Sequence, residues 1–332
     1  MIASHTLKAG LLGAFIALAS PLLSASAGEI PSQPESGSVS IGVQPWLGYG
    51  QWYVAEAKGI FKKVGLQDVK IQNFVEQKDI NAAMASGSLD VASLPTNTAL
   101  SMKAAGLPIK IVALLDFSMA ADAIISGPDI KTIKDLKGKK VAFEQGATSD
   151  VLLNYALQAN GMTIADIEQV PMPAANAGSA LIAGQVPVAV TYEPYISAAE
   201  AQDSKIKLLY TAGVNPGVIS DVLVVREDIL AKKPGQVLAL IKAWDEALKD
   251  YKANMSVDRD IIAKGVGATV EELKTAFDGV EFYSLAQNRE TLTTSFSTKT
   301  LKDVGDAAQK AGLLEKPVAS ADIIVSDFIN AR

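Results

Sequence analysis

The sequence contains no cysteine, and its single histidine is His5, close to the N-terminus. Without cysteine the fold has no disulfide and no thiol nucleophile, so its stability must come from a sizeable apolar core. Without an internal histidine there is no Ser-His-Asp triad and no imidazole-bound zinc. The commonest catalytic groups are missing, although a carboxylate or Ser-Lys mechanism stays open. We predict a protein without metal or cofactor.

A membrane-spanning run is also missing. The apolar stretch Ala9–Ala19 is shorter than the roughly 20 residues that cross a bilayer. It follows Lys8, and Ala25-Ser26-Ala27 further on has the small-residue pattern of a cleavage site. Residues 1–27 are therefore predicted to be a secretory signal peptide. Because no cysteine follows that stretch, lipidation is excluded, and we expect a soluble periplasmic protein.

The charge balance argues against a nucleic-acid partner. The chain has 332 residues and a formal net charge of −6, with 49% hydrophobic and 20% charged residues. Nucleic-acid binding calls for a basic face, which this composition does not supply. The length fits two lobes or domains, and a monomer is expected.

Residues 28–38 are rich in Pro, Ser and Gly and are predicted to be a flexible leader. After them, short apolar strands alternate with helices that end at glycine, which favours a mostly parallel α/β sheet. The predicted strands are Val39–Val43, Val69–Asn73, Leu89–Ser93, Ile109–Leu115, Lys139–Phe143, Ile167–Val170, Val188–Thr191 and Val222–Val225. Beyond Asp228 the pattern is mainly that of amphipathic helices.

A pattern that occurs twice in the sequence suggests two similar units. Ala83–Ala92 and Ala180–Ala189 share the pattern of helix, glycine stop and short buried strand. Ligands of open α/β sheets bind outside the carboxyl ends of the strands. The turns that follow these two strands are therefore expected to face one cleft between two lobes.

The segments expected at this cleft contain no Lys or Arg. They are Gln44–Gly50, Ser93–Thr98, Asp116–Asp122, Gln145–Asp150, Thr191–Tyr195 and Val214–Asp221. From them we select aromatic side chains that could stack on a ligand, hydroxyls and amides near helix N-termini that could hold a small anion, and carboxylates that could pair with an amine. The selected residues are Trp46, Tyr49, Ser93, Thr96, Asn97, Ser118, Gln145, Thr148, Ser149, Tyr192, Glu193 and Asp221.

Several residues of these segments leave alternatives open. Thr96 and Thr148 are each also compatible with a simple helix N-cap. Asp116 fits a hinge role as well as ligand contact. Asp122 and Asp150 are interpreted as surface or capping groups, which leaves Glu193 and Asp221 as the favoured carboxylates.

An ordered set of segments resembles the taurine, nitrate and sulfonate family of ABC-transporter solute-binding proteins, whose superfamily includes binders of thiamine-precursor pyrimidines. The segments that carry the resemblance are Gly48-Tyr49, Ala57–Phe61, Ala85–Val91, Asp135–Ala142, Glu193–Tyr195 and Ser220–Arg226.

The resemblance implies an α/β type II periplasmic-binding fold, with residues 39–122 and 222–332 in one lobe and residues 123–221 in the other. It also implies a ligand amine at Asp221, an anionic ligand group at helix N-termini, and membrane permease and ATPase subunits as partners. The acidic cleft departs from binders of plain alkanesulfonates and favours a ligand with a nitrogen group. A pyrimidine binder, a ligand sensor and an enzyme using Glu193 with Asp221 are the other hypotheses.

Overall fold

The computed structural model describes Met1, residues 30–273 and residues 276–331. Apart from Met1, the predicted signal peptide lies outside the described residues and stays a prediction. Within the described part of the chain, no helix combines the length and the apolarity needed to cross a membrane.

The described strands form two sheets. The strands are β1 (Val39–Val43), β2 (Val69–Asn73), β3 (Val91–Pro95), β4 (Ile109–Ser118), β5 (Asp122–Ser126), β6 (Lys140–Phe143), β7 (Glu168–Pro171), β8 (Val188–Tyr192), β9 (Lys207–Thr211), β10 (Ser220–Arg226) and β11 (Val280–Phe282). The first sheet has the order β11-β4-β10-β3-β1-β2, and the second has the order β7-β6-β8-β5-β9.

Both sheets are mixed, so the prediction of a mostly parallel sheet is wrong. In the first sheet β1 is parallel to β2 and β3, but β10 is antiparallel to both β3 and β4. In the second sheet β5 is antiparallel to β8 and β9. β11, which is antiparallel to β4, is reversed as well. Among the reversed strands, β5 and β10 are the two that follow a crossing from one sheet to the other. A strand that has just crossed starts at the edge where its neighbours end, so its first residue lies at the cleft.

Helices cover both sheets. They are α1 (Gly50–Ala57), α2 (Ile60–Lys63), α3 (Gln77–Ser86), α4 (Thr96–Ala104), α5 (Thr148–Ala159), α6 (Ala174–Ile182), α7 (Tyr195–Gln202), α8 (Glu227–Lys232), α9 (Pro234–Ala253), α10 (Met255–Gly265), α11 (Leu285–Thr291), α12 (Leu301–Lys310), α13 (Ser320–Ile323) and α14 (Asp327–Asn330). A π-helical segment, Leu292–Thr300, joins α11 to α12, and short 3-10 helices include Leu47–Tyr49.

Apolar periodicity builds the core as the sequence predicts. The stripe of α9 that contains Val237, Leu240 and Trp244 is buried against the first sheet's core. The second sheet has one apolar cluster on each face, packed against α5 and α6 respectively. Gly87 ends α3 at a φ of 82°, a conformation that glycine adopts without steric cost.

Several elements were not predicted. β5 is a fully buried run without polar alternation, and β9 is a largely exposed edge strand, so neither shows the period of a half-buried strand. β11 has only three residues, and α7 follows a segment that was interpreted as a loop.

Residues 30–38 contact the body of the protein, although they were predicted to be a flexible leader. The Glu35 carboxylate accepts hydrogen bonds from the backbone N–H groups of Gly235 and Gln236, at 3.0 and 2.9 Å. The leader therefore supplies the N-terminal cap of α9.

The predicted crossings near Asp122 and Asp221 fall at the starts of β5 and β10. Asp122 belongs to the second sheet and Asp221 to the first, each opposite to the lobe assigned from the sequence. The lobe ranges as a whole stay a prediction.

Candidate functional site

A small cavity lies where the cleft edges of the two sheets meet. Its volume is about 40 Å³, enough for a few water molecules. The lining residues come from both sheets and their loops: Gln44, Trp46, Tyr49, Pro95, Asp122, Glu144, Ala147, Thr148, Ser149, Ala174, Tyr192, Ile219 and Asp221. None of them is a Lys or Arg, so the side chains in this lining carry no positive charge.

Two carboxyl groups face each other across strands of the first sheet. Asp221, near the start of β10, is paired in register with Asp116 near the end of β4. The Tyr49 hydroxyl donates to Asp221 Oδ1 at 3.0 Å, and Trp46 Nε1 donates to Asp116 Oδ1 at 3.1 Å. Both acids are buried.

Burial raises the pKa of both acids, and the charge of Asp221 raises the pKa of Asp116 further. Hydrogen bonds from Asp116 and Tyr49 work in the opposite direction on Asp221. Two negative charges this close and this deeply buried are disfavoured, so the pair favours a state in which one of the two carboxyls is protonated. Asp116, for which hinge and ligand roles were both open, lies beside Asp221 in register but is not part of the cavity lining.

Asp122 lines the cavity from the second sheet, which corrects its interpretation as a surface or capping group. It is only 6% exposed, and its Oδ2 has no hydrogen-bond partner among the described residues. Its backbone N–H donates to Ser118 Oγ at 2.9 Å. Burial, with a smaller contribution from the charge of Asp221, raises the pKa of Asp122 to about 8. An acid held in this way is a ready partner for a ligand cation.

The aromatic side chains form one wall. Trp46, from the first half of the molecule, meets Tyr192 at the end of β8, with ring centroids 5.8 Å apart at an interplanar angle of 79°. Tyr192 contacts Tyr195 in a similar edge-to-face manner at 5.3 Å. Of these two tyrosines only Tyr192 lines the cavity, as the sequence analysis favoured. Its hydroxyl has no hydrogen-bond partner in the described part of the chain.

The N-terminus of α5 also reaches the cavity. Thr148 is the first residue of this helix, and the residue before it, Ala147, provides no side-chain cap. The alternative of Thr148 as an N-cap is therefore wrong. Ser149 Oγ is already engaged, because it accepts from the Glu144 N–H at 3.0 Å and donates to the Glu144 carbonyl at 3.1 Å. Asp150 accepts from the Gly146 N–H at 3.0 Å, which is the capping role expected for it.

Of the selected residues, Trp46, Tyr49, Thr148, Ser149, Tyr192 and Asp221 line the cavity, and the others do not. Ser93 accepts a 2.8 Å hydrogen bond from Trp52 Nε1. Thr96 donates to the Ser220 carbonyl at 2.9 Å and so joins α4 to β10. These two hydroxyls organise the first sheet and do not face the cavity.

The remaining selected residues also lie outside the cavity lining. Asn97 is buried in the first turn of α4. Ser118 holds the backbone of Asp122, as described above. Gln145 is exposed and bonds Gln169 at 3.2 Å.

Glu193 binds the backbone N–H and the hydroxyl of Ser197, both at 3.0 Å. Burial raises the pKa of Glu193 to about 7. Its carboxylate thus belongs to the first turn of α7, and the acid–base pair of Glu193 with Asp221 is not assembled at the cavity.

Sequence reasoning missed Glu144 and Gln44 as well as Asp122. Glu144 is the residue directly after β6, and the loop taken from the sequence began one residue later, at Gln145. Counting the first residue after each predicted strand would have found both Gln44 and Glu144. No group of acidic side chains suited to a metal ion is found in the described part of the chain.

The chain is similar to known binding proteins. It is 27% identical over 290 residues to a Brucella abortus protein named as a binding protein, covering 84% of this chain and 87% of that one. It is 26% identical over 204 residues to the taurine-binding periplasmic protein of Escherichia coli, covering 61% and 64%.

The structure resembles the alkanesulfonate-binding protein of Xanthomonas axonopodis pv. citri bound to MOPS, with a TM-score of 0.73 and 20% identity over 88% of this chain and 99% of that one. This likeness confirms the predicted two-lobed α/β periplasmic-binding fold. The predicted family is confirmed too, because a family model described as NMT1/THI5-like matches residues 48–255, well over half of the chain. This protein is therefore a member of the NMT1/THI5-like family.

Proposed function

We propose that this protein is the periplasmic solute-binding component of an ABC importer, and that its solute is a small organic molecule with a cationic nitrogen. The observation that carries the proposal is the cavity between the two sheets, which buried carboxyls line from both sides without a Lys or Arg. A buried acid with a free oxygen is a suitable partner for a ligand that donates N–H bonds, and a cationic ligand offsets the cost of ionising that acid.

The importer role is supported by the names of the relatives. The relatives reported above bind taurine or an alkanesulfonate, or are named only as binding proteins. In the proposed mechanism the ligand bridges Asp221 of the first sheet and Asp122 of the second. Its differential contacts then favour the closed arrangement, which the membrane permease recognises.

A ligand screen tests the solute class. Thermal shift of the purified protein is measured with primary amines, amino-sulfonates, plain sulfonates and aminopyrimidines, and hits are quantified by calorimetry. Ligands that bind the folded state raise its melting temperature. We expect stabilisation by compounds with a cationic nitrogen. Stabilisation by plain sulfonates alone would contradict the proposed class.

A flat nitrogen heterocycle of the thiamine-precursor type is the second candidate. Trp46, Tyr49 and Tyr192 all line the cavity and offer π faces and edges to a ring. Substituting Trp46→Leu distinguishes the candidates, since it should weaken a ring-containing ligand far more than an aliphatic amine.

Release of unchanged ligand separates binding from catalysis. We propose no turnover, because Glu193 is engaged by Ser197 and does not face the cavity with Asp221. Chromatography of the ligand after prolonged incubation should return the starting compound. A new product would favour an enzyme instead.

A further inference from the structure

Glu144 occupies an unusual position between helix ends. It follows β6 in the second sheet, and its carboxylate accepts hydrogen bonds from two backbone N–H groups. One is Gln77, the first residue of α3, at 3.1 Å to Oε1, and the other is Ala174, the first residue of α6, at 3.1 Å to Oε2. α3 belongs to the first half of the molecule and α6 to the second, so this carboxylate joins the two.

The donors that Glu144 uses are those a ligand anion would use. The first N–H groups of a helix have no partner within the helix, and the helix dipole favours a negative charge there. Glu144, Ala174 and the start of α5 all line the cavity. The N-termini of α3 and α6 are therefore already occupied by an anion of the protein itself, and α6 presents its first residue, Ala174, to the cavity.

The rest of the lining offers a ligand anion no cationic side chain, because it contains no Lys or Arg. Asp122, which lines the same cavity, is buried and has an unpartnered Oδ2. The charges of Glu76 and Lys78 act on the pKa of Glu144 in opposite directions, and these two side chains form an ion pair with each other at the start of α3. Burial raises the pKa of Glu144, and the two backbone hydrogen bonds oppose that effect.

We propose that Glu144 is a specificity-determining residue that excludes solutes whose only charged group is a sulfonate or similar anion. It does so by occupying the N–H donors of α3 and α6 and by placing its own negative charge where the anion would lie. The inference rests on the proposed solute-binding function and makes it more specific.

The experiment measures ethanesulfonate binding by calorimetry to the purified protein and to Glu144→Ala, Glu144→Gln and Glu168→Ala. Glu168 is the matched control, an exposed glutamate at the start of β7 in the same half of the molecule. Removing Glu144 frees two N–H donors, and hydrogen bonds to a charged group are among the stronger ones in proteins. Even partial use of them should raise ethanesulfonate affinity by about tenfold or more.

Glu144→Gln keeps the size of the side chain and removes its charge, so a smaller gain is expected than for Glu144→Ala. Glu168→Ala should behave like the parent protein. A merely structural role for Glu144 predicts the reverse, because losing a contact between the two halves would weaken binding of every solute. Equal or lower ethanesulfonate affinity in both folded Glu144 variants overturns the inference.

The outcome is separable from that of the solute screen. If the parent protein binds no amine but the Glu144 variants gain ethanesulfonate affinity, the inference holds and the proposed solute class fails. If amines bind the parent and neither variant gains ethanesulfonate affinity, the solute class stands and the inference fails.

Discussion

Asp221 is the side chain on which the proposed ligand contact depends most. It lies near the start of β10 at the cleft, accepts a hydrogen bond from the Tyr49 hydroxyl and is paired in register with Asp116. We expect Asp221→Asn to lower the affinity for a cationic ligand by about ten- to a hundredfold, since a charged hydrogen bond worth about 1.5–3 kcal/mol is lost. Calorimetry against the screened amine measures the change. Asp129→Asn, on an exposed loop, is the control, and equal affinity in Asp221→Asn would reject the contact.

For individual residues, the sequence predicted which types of side chain line the cavity better than it predicted their positions. Asp221, Tyr192, Trp46 and Tyr49 follow or precede predicted strands, and the cavity contains all of them. Asp122 was not selected because no strand was predicted over residues 122–126, so its position at the start of a strand at the cleft could not be seen. Side-chain hydrogen bonds such as that of Ser93 with Trp52 join residues 41 positions apart, and no local pattern predicts them.

The 3-10 helix Leu47–Tyr49 requires a glycine at position 48. A Cβ there would lie 2.0 Å from Trp46 Nε1 and 2.2 Å from Asp116 Oδ1, and both of these side chains are buried. Gly48→Ala should therefore break their hydrogen bond and destabilise the fold by about 1–3 kcal/mol. Urea denaturation measures the loss.

Gly305→Ala is the matched control for that substitution. Gly305 lies within α12, and its added Cβ would meet nothing closer than Leu100 Cδ1 at 3.7 Å. A neutral to slightly stabilising effect is expected, because alanine restricts the unfolded chain more than glycine does. Equal effects at the two glycines would contradict the steric argument.

The start of α5 gives a third prediction. Because the Thr148 side chain makes no capping hydrogen bond, Thr148→Ala should change the free energy of unfolding by less than about 0.5 kcal/mol. Backbone N–H groups remain in place, so ligand affinity should fall less than in Asp221→Asn. Calorimetry of both variants against one amine compares them, and a larger loss at Thr148 would mean that α5 provides the dominant contact.

Helices and strands could be predicted from apolar periodicity and from the glycines that end helices, whereas the direction of the strands could not. Apolar periodicity places helices and strands along the chain but carries no information on which strand neighbours which. The antiparallel insertion of β10 between β3 and β4 is set by the return of the chain from the second sheet. A sequence with repeated strand–helix units therefore gives no sign of the reversed strands, which are β10 and β11 in the first sheet and β5 in the second.

For the whole molecule, the buried acids of the cleft should make the ligand-free protein less stable as pH rises. Burial raises the pKa of Asp122 from 3.8 to about 8, so the folded state binds more protons than the unfolded state between those values. Stability then falls as pH increases through that window. Acids whose pKa is lowered, such as Asp135, act in the other direction only below about pH 4.

Substituting Asp122→Asn tests this pH effect, because asparagine cannot ionise. Differential scanning calorimetry of ligand-free protein between pH 5.5 and 8 should show a falling melting temperature for the parent and a shallower slope for the variant. The variant should be more stable than the parent over this whole range, and the difference should grow from pH 5.5 to pH 8, because only the parent loses stability as the unfolded chain releases the Asp122 proton. Because a cationic ligand offsets the cost of ionising this buried acid, its stabilising effect on the parent should grow with pH. Parallel slopes for parent and variant would show that Asp122 is not the titrating group.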